Sequence, residues 1–210
     1  SLMYVDSFAT VPQLTYTWPT PPQYHADSYA LDLLMNYLSD GKSAPLNEVL
    51  IDESKLTSTV NSFSRASELA SEAYILVRAN ADQALGDVKS AIDKGLTRFE
   101  VTGISEADLE RLKAGQEVSF YQNIQSALGK AIALGEYNTF TGDPGFINKE
   151  IELIRSVTPN DIMRVYTDYI KDRPYIELSV VPKGQEALAI SGAVTADIVE
   201  ERVVQGAEDE

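Results

Sequence analysis

Few side chains in this sequence are of the kinds that cleave, transfer or ligate, and each can be weighed singly. His25 stands two residues before Asp27, which matches part of a Ser-His-Asp set, where a carboxylate orients the imidazole that takes a proton from a hydroxyl. No G-x-S-x-G elbow presents a nucleophile, so the pair reads as a helix-leading histidine beside an acid that favours a helix start. Gly41-Lys42-Ser43 resembles the end of a phosphate-binding loop. That loop needs a glycine five positions before Gly41, where Asn36 stands, and a strand rather than a helix leading into it. Gly41 therefore reads as a helix stop. The acids Asp52-Glu53, Glu200-Glu201 and Glu208-Asp209-Glu210 are neighbours in sequence. Adjacent side chains point apart on a helix or strand, so these build no shared-proton dyad and read as solvated charge.

Counting excludes whole classes of chemistry. One histidine cannot satisfy H-E-x-x-H or H-x-x-E-H, each of which needs two. With no cysteine there is no disulfide, thiol nucleophile or Cys-based zinc site. The 17 Lys and Arg against 32 Asp and Glu leave a net charge of −15, which repels phosphate backbones and anionic lipid alike, so no nucleic-acid partner is expected. The longest stretch without a formal charge, 7–26, holds Pro12, Pro19, Pro21 and Pro22, which rules out a membrane helix there, and no membrane insertion is expected. No basic segment followed by an apolar run opens the sequence. Its 44% hydrophobic and 23% charged residues are those of a folded globule.

Periodicity and punctuation predict the scaffold. Residues 12–18 alternate with Leu14, Tyr16 and Trp18 on one face, a strand that the prolines at 19–22 should end. A helix over 27–38 stops at Gly41, and Pro45 opens a short helix over 45–52. Strands at 56–65 and 72–78 suit a loose hairpin. Helices follow at 84–99 and from a Ser105 cap toward Gly135, with Gly115 and Gly129 as places to bend or break. Asp143 should cap a helix reaching Arg155, and Thr158-Pro159 should start another to Lys171 before a last strand at 175–181. The order predicts an α+β fold with a largely antiparallel sheet and helices packed on one face. Residues 1–182 form the expected domain. The segment 183–210, whose last 14 residues carry six acids and one arginine, is expected to be an acidic linker or tail.

Several strings, taken in order, resemble the second, non-catalytic half-domain of the insulinase/pitrilysin family of zinc metallopeptidases. They are P-Q-Y-H-A-D-S-Y-A-L-D-L-L at 22–34, L-S-D-G-K-S-A-P-L at 38–46, I-S-E-A-D-L-E-R-L-K at 104–113, V-T-P-N-D-I-M-R-V at 157–165 and V-V-P at 180–182.

The resemblance implies a chain without a zinc site of its own, with zinc expected in a partner half that carries H-x-x-E-H in the same polypeptide or in a partner subunit. It also implies that the two halves enclose a chamber for unfolded peptide substrates lying along a sheet edge. Some non-catalytic halves lend an arginine and a tyrosine to the distant active site. Arg65 and Tyr74 fall in the corresponding strand region, but their spacing does not match, so no catalytic, metal-ligating or substrate-binding residue is assigned. The string V-V-Q-G-A-E-D-E at 203–210 resembles the joint to a following domain of a longer, bacterial peptidase. The periplasm or cell envelope fits such a protein, with the cytoplasm left open. The alternative reading is a structural or assembly subunit without a hydrolytic role, and a third is a free peptide-binding module.

Overall fold

The structure, a computed structural model, describes residues 1–196. The acid pairs at 200–201 and 208–210, and the final part of the expected tail, lie outside the described residues.

Alternation in β2 (Gln13–Thr20) organises the sheet: Leu14, Tyr16 and Trp18 point to one side and are all but fully buried. Their cross-strand partners in β4 (Ser71–Ala79) are Val77, Ile75 and Ala73, equally buried, so one face is an apolar layer. β3 (Thr57–Arg65) pairs antiparallel with β4, and β5 (Ile176–Pro182) pairs antiparallel with the other side of β2. β1 (Leu2–Asp6) adds parallel to β5, and β6 (Val194–Thr195) adds parallel to β1. The sheet order is β3-β4-β2-β5-β1-β6, an antiparallel body with a parallel margin.

Helices lie on the apolar face. In α1 (Ala26–Ser39) the residues Leu31, Leu34, Met35 and Leu38 are buried, and α1 touches β3 and β4 below it and α4, α6 and α7 beside it. Each such leucine removed from water contributes roughly 1.5–3 kcal/mol. Pro45 opens α2 (Pro45–Asn47), which continues as a π-helical turn over Glu48–Glu53. α3 (Leu85–Thr102), α4 (Glu106–Asn123), α5 (Ala127–Thr141), α6 (Phe146–Ser156) and α7 (Pro159–Val165, extended as a π-helical turn over Tyr166–Ile170) complete the layer.

Local signals place several boundaries. Ser105 accepts the Asp108 N–H, and Thr158 with Asp161 forms a reciprocal capping box. Elsewhere the structure departs from expectation. β2 continues through Pro19 to Thr20, because β5 pairs β2 only as far as Thr17; Pro19 has a neighbour on one side only, where a missing N–H breaks little of the ladder. The long helix expected from Ser105 breaks before Gly129: α4 ends at Asn123, and Ser126 caps α5 by accepting the Gly129 N–H at 2.9 Å. A Cβ on Gly129 would stand 2.0 Å from the Asn123 carbonyl oxygen, so glycine is what lets the two helices meet so closely. Asp143 does not cap α6. Its Oδ1 accepts the Gly145 N–H in a turn, and Gly145 occupies the cap position. The described part of the 183–210 segment holds a 3-10 turn, Glu186–Leu188, and β6.

Candidate functional site: the uncovered sheet face and the cleft beside β3

His25 and Asp27 meet only as parts of a helix start. His25 Nδ1 accepts the Asp27 N–H at 3.1 Å, and the Asp27 carboxylate is engaged by Arg164 and Tyr169, each at 2.7 Å. No hydroxyl nucleophile joins them. Gly41, at φ +91°, reverses the chain after α1, and its carbonyl accepts from Asn47 Nδ2 at 2.8 Å, so this loop offers an oxygen where a phosphate site would need N–H groups.

Arg65 and Tyr74 end up close together. Arg65 at the end of β3 stands opposite Glu72 of β4, and the Tyr74 phenol donates to Glu72 Oε2 at 2.6 Å. That hydrogen bond, with lesser help from partial burial, raises the Tyr74 pKa. Phe63 stacks on Tyr74 with ring centroids 5.1 Å apart and planes 16° off parallel.

These residues belong to the face of the sheet opposite the helices. Along the registers, Phe63 of β3, Tyr74 and Leu76 of β4, Thr15 and Thr17 of β2, and Ile176 and Leu178 of β5 all project to that side. The outer members are open to solvent, Ile176 at 56% and Phe63 at 39%, and Leu2 and Tyr4 of β1 extend the surface. The described helices pack on the other face, which leaves this one a broad aromatic, aliphatic and hydroxyl surface. Antiparallel sheets commonly solvate one face, but then with polar side chains. The apolar strip, bordered on the same face by Gln13, Arg65, Glu72 and Arg78, marks a contact surface.

β3 is also an edge strand, and beside it lies a cleft of about 790 Å³. α1, α4, α5 and α6 wall it, with Val60 and Asn61 of β3 along one side. The volume is in the range of small-ligand sites, and no sequence motif pointed to it.

The donor set does not fit zinc. Among the described residues no group of three or more His, Cys, Asp or Glu is placed to hold a metal ion, and His25, the one imidazole in the sequence, commits Nδ1 to the α1 cap. No helix of the described residues is long and apolar enough to cross a membrane.

Comparison with known proteins gives a consistent result. Residues 5–116 match the family described as the Peptidase M16 inactive domain. Over 160 residues the chain is 28% identical to the zinc protease PqqE of Helicobacter pylori, covering 74% of this chain and 35% of that relative's length. A solved protease from Helicobacter pylori superposes with a TM-score of 0.75 at 22% identity, covering 86% of this chain and 44% of that one. The inactive peptidase domain of a Bordetella parapertussis protein described as a zinc protease superposes with a TM-score of 0.74 at 19% identity, covering 83% of this chain and 92% of that one. These last two likenesses speak for the fold.

Proposed function

The chain belongs to the Peptidase M16 inactive domain family, and on that premise we propose that it is the non-catalytic half of a zinc-dependent peptidase, shaping a peptide-binding chamber and supporting a separate half that carries H-x-x-E-H and the zinc. The observation that carries this reading is the uncovered sheet face. It exposes Ile176 and Phe63 in an apolar strip bordered by Gln13, Arg65, Glu72 and Arg78, on the side of the sheet opposite the helices that cover the core. Aromatic and aliphatic side chains interleaved with Thr15 and Thr17 can line a chamber that contacts unfolded peptides of varied sequence. The position of β3 at the edge of the sheet supports the same reading: apart from the Ser62 N–H, which donates to the Ser39 hydroxyl at 2.9 Å, its outer backbone can take up an extended peptide as an added strand. Residues 1–182 then form the half-domain, and 183–210 lead toward a following domain, with the described part of that segment lying along the β1 margin.

The test is reconstitution. The chain is mixed with a zinc-bearing half from the same polypeptide or its partner subunit, and cleavage of an unstructured peptide is followed. Cleavage that rises at least tenfold over the zinc half alone is the expected result. A stable pair that hydrolyses nothing would overturn it and make the chain an assembly subunit.

A further inference from the structure

Two cavities meet where the loop before α1 passes over α6. The larger is the cleft of about 790 Å³, and the smaller has a volume of about 100 Å³. Gln23, Tyr24, Tyr29, Asp32 and Glu150 line both. Glu136 adds a third carboxylate to the larger one. The charged groups acting on Asp32 and Glu150 are other acids: Glu150 acts on Asp32, and Glu136 on Glu150. Arg111, the one cation lining the larger cavity, is taken by Asp40 at 2.7 Å.

Tyr29 supplies an independent observation. It is 7% exposed, and its hydroxyl has no hydrogen-bond partner among the described residues. An unsatisfied buried hydroxyl costs about 1–3 kcal/mol, so this position is short of one partner. The wall above it is aromatic. Tyr24, held at φ +64°, sets its ring centroid 5.6 Å from Tyr137 and 5.4 Å from Phe146.

We propose that this junction binds an organic cation, an alkylammonium or guanidinium head that donates hydrogen bonds to Asp32, Glu150 and the Tyr29 hydroxyl, with its aliphatic stem running into the larger cleft past the Tyr24 and Tyr137 rings. A water molecule would satisfy Tyr29 but would bring no positive charge to Asp32 or to Glu150, which accepts a neutral hydrogen bond from the Tyr137 hydroxyl. Desolvation pushes the Asp32 carboxyl up to about 6, and burial raises that of Glu150 against the lowering effect of the Tyr137 hydrogen bond. A hard metal ion needs several oxygens at coordination distance, and no such group exists among the described residues. The smaller cavity suits an ammonium or guanidinium head rather than a bulky ring, and aromatic faces attract such cations.

The same head group is found on free diamines and on the basic side chains of peptides, and calorimetric titration of the full chain separates the two. The probes are cadaverine, N-acetyl-lysine amide and the neutral N-acetyl-norleucine amide. Saturable binding of a cation, with the neutral analogue at least tenfold weaker, is expected. Binding of cadaverine alone identifies a free diamine as the ligand, and binding of the lysine amide identifies a basic peptide side chain. Asp32→Asn and Glu150→Gln should each weaken binding at least tenfold. Tyr29→Phe should weaken it severalfold while leaving the thermal midpoint unchanged or higher, because it removes only an unpartnered hydroxyl. That variant keeps the test open should the carboxylate variants fail to fold. Binding of neither cation, equal affinity for the neutral analogue, or undiminished binding by Tyr29→Phe would overturn the proposal.

Discussion

Asp27 Oδ1 accepts a hydrogen bond from the Arg164 guanidinium at 2.7 Å across 137 positions of sequence, and Tyr169 donates to Oδ2 of the same carboxylate at 2.7 Å. The contact clasps the first turn of α1 to α7. It also explains why His25 and Asp27, suggestive as a pair, do no chemistry together: the carboxylate is already engaged elsewhere.

The Arg164 hydrogen bond, above all, holds the Asp27 carboxyl below the ordinary aspartate range. A folded-state value below the unfolded one means that the clasp stabilises fully above the unfolded value and ceases to do so as pH falls through the folded one. Because the Arg164 side chain is 46% exposed, solvent screening limits the loss in Asp27→Asn to about 1 kcal/mol at pH 7. Urea denaturation of both proteins at pH 7 and near pH 3 should show a smaller difference at the lower pH; the same gap at both would mean the charge of Asp27 is irrelevant.

Among the described residues Lys89 is the only cation bonded to the buried Glu177, at 3.1 Å, and it also donates to the Tyr16 and Tyr175 hydroxyls. Removing one member of such a pair strands the other in the core layer. With the Lys89 side chain 33% exposed, Lys89→Met should cost roughly 2–3 kcal/mol. Lys89→Met combined with Glu177→Gln should recover at least half of that loss. Denaturant midpoints of the two singles and the double decide it, and strict additivity would refute the coupling.

The two glycines expected to bend the α4–α5 region should respond with opposite sign. A Cβ at Gly115 meets nothing within 4 Å inside a regular helix, so Gly115→Ala should stabilise by up to about 1 kcal/mol. Gly129→Ala drives a methyl toward the Asn123 carbonyl and should destabilise by about 1–3 kcal/mol. Thermal unfolding of both variants tests the pair, and a stabilised Gly129→Ala would contradict the described joint.

Ile176 is 56% exposed at the start of β5 on the uncovered face, so Ile176→Glu should change the stability of the chain by less than about 0.5 kcal/mol. If that face meets the catalytic half or lines the chamber, the same substitution should lower reconstituted peptidase activity at least tenfold. Activity that survives the charge would remove this face from the functional surface.

What the sequence revealed, and what it hid, divides by the range of the responsible interaction. The Ser105 and Thr158 caps, the Gly41 stop and the β3–β4 hairpin depend on residues a few positions apart, so their signals are local and readable. β1 and β6 were not legible. Leu2–Asp6 has no strong alternation and becomes a strand only because residues 178–182 lie alongside it. Gly129 announced a break in the long helix, whereas its exact place, with Ser126 as the cap and Asn123 packed against the glycine, is a three-dimensional fact. The absence of an H-x-x-E-H set was plain from one histidine. The cavity junction was invisible, because Asp32 and Glu150 are brought together by the packing of α1 against α6 and no spacing rule links them.

Leu2 lies opposite Val194 in the sheet, so the described fold is entered and left at neighbouring strands roughly 4.8 Å apart. A unit with adjoining ends can be transplanted whole, since a host chain need only open a gap one strand wide to receive it. It can also be circularly permuted, with a short bridge joining the two ends and a new opening at the exposed Glu68–Leu69 tip of the β3–β4 hairpin, without rethreading any strand. Architectures that couple this half to others in different orders are therefore sterically equivalent from its own point of view.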